Sequence, residues 1–384
     1  MDFRLDEEHE MFRQTVYQFC QNEIAPRALE VDQTHEFPWD NIKKMAALGL
    51  LGVPFPEEWG GAGGDTLMYA IAVEEVSRAC GSTGITLAAH TSLGTAPFYL
   101  FGTEEQKRKY LTPLAQGKKL GSFGLSEAGA GSDAAGTKTT AVLDGDEWVI
   151  NGSKNWITNG SIADVLVFVA MTDKSKGAHG ISSFIVEKGT PGFSYGKNEQ
   201  KMGLRGSVTS QLFFDNCRLP KENILGQPND GFRQFMQILD AGRISIGAMA
   251  LGLAQAAFDA ALRYSRERQQ FGRPISDFQA IQFKLADMAT QLEAARLLIY
   301  RSAWLKDNKL PFGKEAAMAK LFASEVGESI CREAIQIHGG YGYIEEYHVE
   351  RYYRDVRLTT IGEGTSEIQR IVIARHVLRE LKGQ

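Results

Sequence analysis

The chain is poor in the features that mark several large classes of protein. It has four cysteines in 384 residues, Cys20, Cys80, Cys217 and Cys331, far apart and without a C-x-x-C pair. They read as reduced, partly buried thiols in a reducing compartment. No run approaches the ~18 uninterrupted apolar residues that a spanning helix needs. Basic residues are not in excess, since 42 Lys and Arg stand against 47 Asp and Glu, and this argues against a general nucleic-acid binder. The seven histidines are scattered and form no H-x-x-x-H pair, so no metal is expected. Met1 runs straight into Asp-Phe-Arg-Leu-Asp-Glu-Glu without a basic-then-apolar leader. A cytoplasmic protein is expected, or a mitochondrial-matrix one if a transit peptide has been removed.

What is present in excess is glycine, with 40 residues against an average near ~7%. Otherwise the composition, 43% apolar and 23% charged, is that of a soluble globular chain. Its length predicts two or three domains of roughly 100–200 residues each. Three textures follow one another. Residues 1–118 carry helical spacing, with Asp6-Glu7-Glu8 as a helix start and Phe12, Val16, Phe19 and Ile24 on one face. Pro26 is where that helix is expected to bend or end. Further helical patterns cover Trp39–Leu51, Leu67–Cys80 and, opened by Thr103, Glu104–Ala115. Residues 119–230 read as strands at Trp148–Ile150, Val165–Val169, Ile181–Val186 and Gln211–Phe214, with turns at Asp144-Gly145-Asp146 and Asn159-Gly160. Residues 231–384 sustain helical periods over Phe232–Arg268, Asp277–Lys306, Lys314–His338 and Ser366–Leu381, the last with a capping box of Ser366 and Gln369. Segregated strands and helices predict an α+β multidomain chain: a helical domain, a β-barrel-like domain, then a four-helix bundle.

Gly129-Ala130-Gly131-Ser132-Asp133-Ala134 matches G-x-G-x-x-A. The dinucleotide fingerprint works by turning a strand into a helix whose N-terminus holds a pyrophosphate. Here Thr137, Thr139, Ala141 and Leu143 alternate directly afterwards, so no helix follows and the Rossmann mechanism fails. A glycine-rich loop with bare N–H groups still suits a phosphate-bearing ligand.

The stronger signal is an ordered set of motifs. Phe123-Gly124-Leu125-Ser126-Glu127-Ala128-Gly129-Ala130-Gly131-Ser132-Asp133 is followed by Trp156-Ile157-Thr158-Asn159-Gly160. Arg268-Gln269-Gln270-Phe271-Gly272 comes next, with Gln279 beyond it, then Gln336-Ile337-His338-Gly339-Gly340-Tyr341-Gly342 and Glu363-Gly364-Thr365-Ser366-Glu367-Ile368-Gln369. In this order the set resembles the acyl-CoA dehydrogenase family, and its short-chain, butyryl-CoA branch most closely. The resemblance implies an FAD enzyme, a homotetramer built as a dimer of dimers, that passes electrons to electron-transfer flavoprotein. By that likeness Phe123, Leu125, Ser126, Gly131, Ser132, Trp156, Ile157 and Thr158 bracket the flavin ring. Arg268, Phe271, Gln279, Gln336, Ile337, Gly339 and Gly340 meet the pyrophosphate and adenosine of a partner subunit's flavin, with Thr365, Ser366 and Glu367 completing the site. Ser132, Asp240, Arg243 and Gly364 line the acyl-CoA. The residue types suit these roles: an arginine forks onto a pyrophosphate and an indole packs on a flat ring. Taken singly, each has an ordinary reading as a surface cation, core aromatic or helix stop.

In the family the glutamate of the Glu-Gly-Thr segment is the base, so the resemblance makes Glu363 the group that removes the α-proton of an acyl thioester while the β-hydride goes to flavin N5. Without that pattern it would be a solvated carboxylate near a helix start. The developing enolate needs donors, which the family supplies from the base residue's own N–H and a flavin ribityl hydroxyl. The carboxylate also needs a raised pKa, expected from dehydration by the bound acyl chain. In the isovaleryl-CoA branch the base stands at the position of Gly242, where this chain has no side chain. Most short- and medium-chain members place a tyrosine before the glutamate. This chain has Gly362, which predicts a wider acyl pocket that tolerates branched groups. The alternatives are an acyl-CoA oxidase using oxygen and a non-catalytic acyl-CoA- or protein-binding scaffold of the same fold.

Overall fold

The computed structural model describes residues 4–382. The N-terminal part is helical: α1 (Glu7–Phe19), α2 (Ala28–Thr34), α3 (Trp39–Ala47), α4 (Thr66–Ala79), α5 (Gly81–Ala88), α6 (Ala96–Phe101), α7 (Glu104–Gln106) and α8 (Thr112–Ala115). The Asp6 carboxylate accepts from the His9 N–H, so α1 starts where the cap residue predicts. Its end is softer than expected. A π-turn over Cys20–Ile24 and a tight turn over Ala25–Arg27 absorb Pro26, and α2 continues beyond. Thr103 and Gln106 close a reciprocal capping box on α7.

The middle of the chain is one eight-stranded sheet: β1 (Gly121–Gly124), β2 (Thr140–Asp144), β3 (Glu147–Thr158), β4 (Val165–Met171), β5 (Ile181–Glu187), β6 (Phe193–Asn198), β7 (Thr209–Pro220) and β8 (Ile224–Leu225). The order runs β6-β7-β3-β2-β4-β5-β8, with β1 parallel to β4. Gly145 at φ 63 makes the β2–β3 turn, with Asp144 paired to Glu147 across it. After Gly131 only a short turn, Ala134–Gly136, precedes β2, so the G-x-G-x-x-A loop lacks the helix of a dinucleotide fold.

The rest is helical again: α9 (Gly231–Glu267), a small hairpin of β9 (Gln269–Gln270) and β10 (Arg273–Pro274), then α10 (Gln279–Asp307), α11 (Gly313–His338), α12 (Val349–Val356) and α13 (Ser366–Lys382). Helix α9 is the axis, packed against α11, α4 and α10. An 18-residue window of α9 reaches a mean hydropathy of 1.4, enough to cross a membrane by composition, but 78% of it is buried inside the fold. It is a core helix. All four cysteines are free and buried.

The start of α13 departs from expectation. The Ile368 N–H donates to Thr365 Oγ1, so Thr365 is the cap, while Ser366 Oγ is buried without a partner. Gln369 does not complete a capping box either. Its Nε2 donates to the carbonyls of Glu363 and Gly364, at 3.3 and 2.9 Å. The sequence spacing S-x-x-Q has been put to another use, holding the turn before the helix.

Candidate active site

Glu363 stands in that turn, between the short helical segment Arg357–Thr360 and α13. It has a left-handed backbone, φ 52, and Gly364 follows at φ 91. A non-glycine residue held there carries strain of order 1–3 kcal/mol, which the surroundings must offset. The hydrogen bonds of Gln369 help to do so. Lys320 on α11 adds another, its Nζ donating to the Gly364 carbonyl at 2.6 Å.

The Glu363 residue is only partly buried, yet its Oε2 is shielded and has no hydrogen-bond partner. That oxygen lies over Gly242 of α9, where a Cβ would come within 2.2 Å of it. Glycine is therefore the residue that leaves room for the carboxylate. Loss of hydration raises the Glu363 pKa from 4.5 to about 7, against the opposing pull of Lys320 and then Arg243. Arg243 is almost completely buried and pairs with Asp240 one turn earlier on α9.

A second group lies on the sheet. The pairing of β3 with β7 breaks between Lys154 and Ile157, a bulge that places Asn155 and Trp156 opposite a single residue. Trp156 takes φ 62 there and turns its ring outward, 66% exposed. An exposed indole on a left-handed backbone is a platform set by the strand, not a core side chain. The Asn155 N–H donates to the Ser126 carbonyl at 2.8 Å, tying the 123–132 loop beside it. Leu125 and Ser126 are half-buried, Gly131 and Ser132 are exposed, and added Cβ atoms at Gly129 and Gly131 would meet nothing within 4 Å. Phe123 and Ile157 point the other way, into the hydrophobic cores, so they offer a ligand only backbone. Thr158 is half-buried, its carbonyl accepting from Ser122 Oγ.

A third group surrounds a cleft of about 480 Å³ lined by Tyr264, Arg268, Ile337, His338, Gly339 and Gly340, among others. Gly339 at φ 60 ends α11, and Gly339 and Gly340 both face open space. The Arg268 guanidinium lies 5.4 Å from the Tyr341 ring centre and has no carboxylate in ion-pair range among the described residues. His338 stacks on Tyr264 and gives Nδ1 to the Ala334 carbonyl, while burial lowers its pKa. Phe271 is 93% exposed on the β9–β10 hairpin, and Gln279, Gln336 and Glu367 are exposed nearby in sequence to their motifs. The sequence-predicted residues therefore fall into separate groups within one subunit: Glu363–Gly364 with Arg243 and Asp240, the Trp156 platform with its loop, and the Arg268–Gly340 cleft.

Sequence reading passed over Lys320. Its signal was present, because Ala316, Ala319 and Ala323 place it at i, i+3, i+4 and i+7 spacing on the apolar face of α11. It also passed over Lys154, which is fully buried and paired with Glu127 at 2.7 Å beneath the 123–132 loop.

A carboxylate with its pKa lifted toward neutrality suits a general base, an exposed indole suits a flat ligand, and a cleft with one arginine and open backbone suits a phosphate. Family models for the N-terminal, middle and C-terminal domains of acyl-CoA dehydrogenase match residues 6–118, 122–217 and 229–378. A probable acyl-CoA dehydrogenase of Bacillus subtilis, YngJ, is 58% identical over 99% of this chain and 100% of its own length. The short-chain-specific acyl-CoA dehydrogenase of Clostridium acetobutylicum is 51% identical over 99% and 100%. A chain solved in work on the electron transferring flavoprotein of Acidaminococcus fermentans superposes with a TM-score of 0.97 at 52% identity, covering 99% and 100%. The chain belongs to the acyl-CoA dehydrogenase family, whose members are FAD-dependent oxidoreductases. The residues present suit FAD: Trp156 supplies a flat exposed face, and Arg268 with Gly339–Gly340 supplies a cation and open backbone for phosphate.

Proposed function

We propose that the protein desaturates a short-chain acyl-CoA to its trans-2-enoyl-CoA, with Glu363 as the base. The observation that carries the reading is the Glu363 carboxylate itself, shielded and unpartnered at Oε2, with a pKa lifted to about 7. A general base is most effective with its pKa near the working pH, and this one is placed there by burial. Bound FAD supplies the two-electron acceptor for the β-hydride. Glu363 takes the α-proton as a neutral carboxylic acid forms on it, which its water-poor surroundings favour. Its backbone N–H is offered to the thioester oxygen, where negative charge develops. Leu125, Ser126, Ser132, Trp156 and Thr158 would border the flavin ring, with Phe123 and Ile157 contributing backbone. Thr365, Ser366 and Glu367 would lie beside it. Arg268, Phe271, Gln279, Gln336, Ile337, Gly339 and Gly340 would receive the pyrophosphate and adenosine end from a second subunit. Asp240, Arg243 and Gly364 would face the CoA thioester.

Electron-transfer flavoprotein as acceptor is supported by the family and by the Acidaminococcus comparison, a homotetramer by family likeness, and a cytoplasmic setting by the bacterial relatives. Room for a branched acyl group has one structural support: the nearest atoms that a Cβ at Gly362 would meet belong to Leu358, at 3.6 Å. Anaerobic titration of the holoenzyme with straight and branched acyl-CoAs tests substrate and acceptor together. Butyryl-CoA is expected to bleach the flavin, isobutyryl-CoA to do so better than in a Gly362→Tyr variant, and reoxidation to be fast with electron-transfer flavoprotein and slow in air. Fast reoxidation by air alone would favour the oxidase reading, and a colourless protein the scaffold.

A further inference from the structure

Lys320 sits in the middle of α11 among Ala316, Ala317, Ala319 and Ala323, and all five residues are 0% exposed. An ammonium removed from water costs several kcal/mol unless an opposite charge or a full set of hydrogen bonds compensates. Among the described residues no carboxylate lies within ion-pair distance of it, and its one hydrogen bond goes to the neutral Gly364 carbonyl. Desolvation accordingly lowers its pKa to about 8, and the charge that most favours its protonated form is Glu363. The relation is reciprocal, since Lys320 is the largest charge opposing the rise at Glu363. Arg243, the second, already pairs with Asp240.

We infer that Lys320 is a positioning residue for the base: its buried ammonium fastens the Glu363–Gly364 turn and holds the Glu363 carboxylate in its charged form. This rests on the reading of Glu363 as the base. Two tasks are combined in one side chain. The hydrogen bond to Gly364, with that of Gln369 at 2.9 Å, fixes a turn whose backbone is left-handed at Glu363 and Gly364. The charge stands at the carbonyl of the residue next to Glu363, close enough to oppose the loss of ionisation that burial imposes on that carboxylate. The other ionisable groups that bear on Glu363 are Arg243 of α9, itself beside Asp240 and through it His376 of α13, and Tyr69 of α4, whose phenol feels the Glu363 charge; Glu325 of α11 and Glu367 of α13 bear on Lys320.

A lysine that only tied a carbonyl could be replaced by any buried donor, and this separates the two tasks. The test compares Lys320→Gln, Lys320→Met and Lys320→Arg holoenzymes by the pH dependence of kcat/KM with butyryl-CoA. In parallel, the infrared carboxyl band that vanishes in Glu363→Gln is titrated without substrate. The base must be ionised to act, and removal of the neighbouring cation raises its pKa, so the acid limb moves to higher pH. Both neutral variants are expected to shift limb and band upward by about one pH unit or more, the scale of a close charge, and Lys320→Arg to shift neither. If Lys320→Met does not fold, Lys320→Gln, which keeps a donor, carries the comparison. Unmoved limb and band in the neutral variants, with Glu363→Gln inactive, would overturn the inference. Undiminished proton abstraction by Glu363→Gln would instead strike the base assignment beneath it.

Discussion

At the scale of single residues, the lifted pKa of Glu363 comes at the expense of stability. Its folded pKa of about 7 exceeds the ordinary 4.5, so the folded state penalises the ionised form. The penalty is full above about pH 7, shrinks as pH falls toward 4.5, and is gone below it. Glutamine carries no such penalty. Glu363→Gln is therefore expected to unfold later than wild type at about pH 8, by roughly 1–3 kcal/mol, with the advantage vanishing near about pH 4. Denaturant melts across that range check it, and equal stability at the higher pH would count against the burial of Oε2. The need for a raised pKa and the missing side chain at Gly242 followed from the family likeness; the burial of Oε2 and the part of Lys320 were not legible in sequence. The motif marks the glutamate, but its environment comes from Gly242 and Lys320, which lie far away in the chain and meet it only through packing.

At the scale of elements, the long helices and the central strands were readable because their apolar periods are sustained. The start of α9 lies one residue from the sequence expectation, and α11 one residue from its own. Short elements were not. Strand β1 is Gly-Ser-Phe-Gly, without strand-like composition, and forms because β4 offers a parallel partner. The β3 bulge was equally hidden, since nothing local in Lys154-Asn155-Trp156-Ile157 announces a left-handed tryptophan. A buried ion pair lies at its edge. Lys154 Nζ bonds Glu127 and also the Leu125 carbonyl and Thr137 Oγ1, while Glu127 accepts from the Lys138 and Thr139 N–H groups. These bonds and the lysine hold the Glu127 pKa down at about 2 despite burial. Lys154→Met leaves that carboxylate buried without its counter-charge, a defect that typically costs about 3–5 kcal/mol. The expected result is a destabilised protein with loosened flavin, measured by denaturant unfolding and by flavin retained on gel filtration. A wild-type unfolding midpoint would show that the pair does not organise the loop.

At the scale of the whole molecule, the order of helices, sheet and bundle was legible, and the way the parts lock together was not. The N-terminal helices are fastened to the bundle through α4, where Glu74 accepts from Arg296 of α10 at 3.1 Å and from the Tyr300 hydroxyl at 2.8 Å. Arg13 of α1 reaches the same carboxylate at 3.5 Å. In sequence these are scattered charges on amphipathic helices, and nothing distinguishes them from solvated ones. The glycine excess also resolves at this scale. It is spread over tight turns, close helix crossings and open helix ends, and at Gly242 it leaves the space that the Glu363 carboxylate occupies.

The proposed reaction turns on one proton transfer, from the acyl α-carbon to Glu363. Rapid mixing of anaerobic holoenzyme with butyryl-CoA, followed by flavin absorbance, reads it directly. Wild type is expected to bleach in a fast phase, and Glu363→Gln, with flavin bound and fold intact, to bleach slower by at least about 10²–10⁴-fold, the usual range for a lost general base. A fast phase in Glu363→Gln at the wild-type rate would mean that Glu363 is not the base.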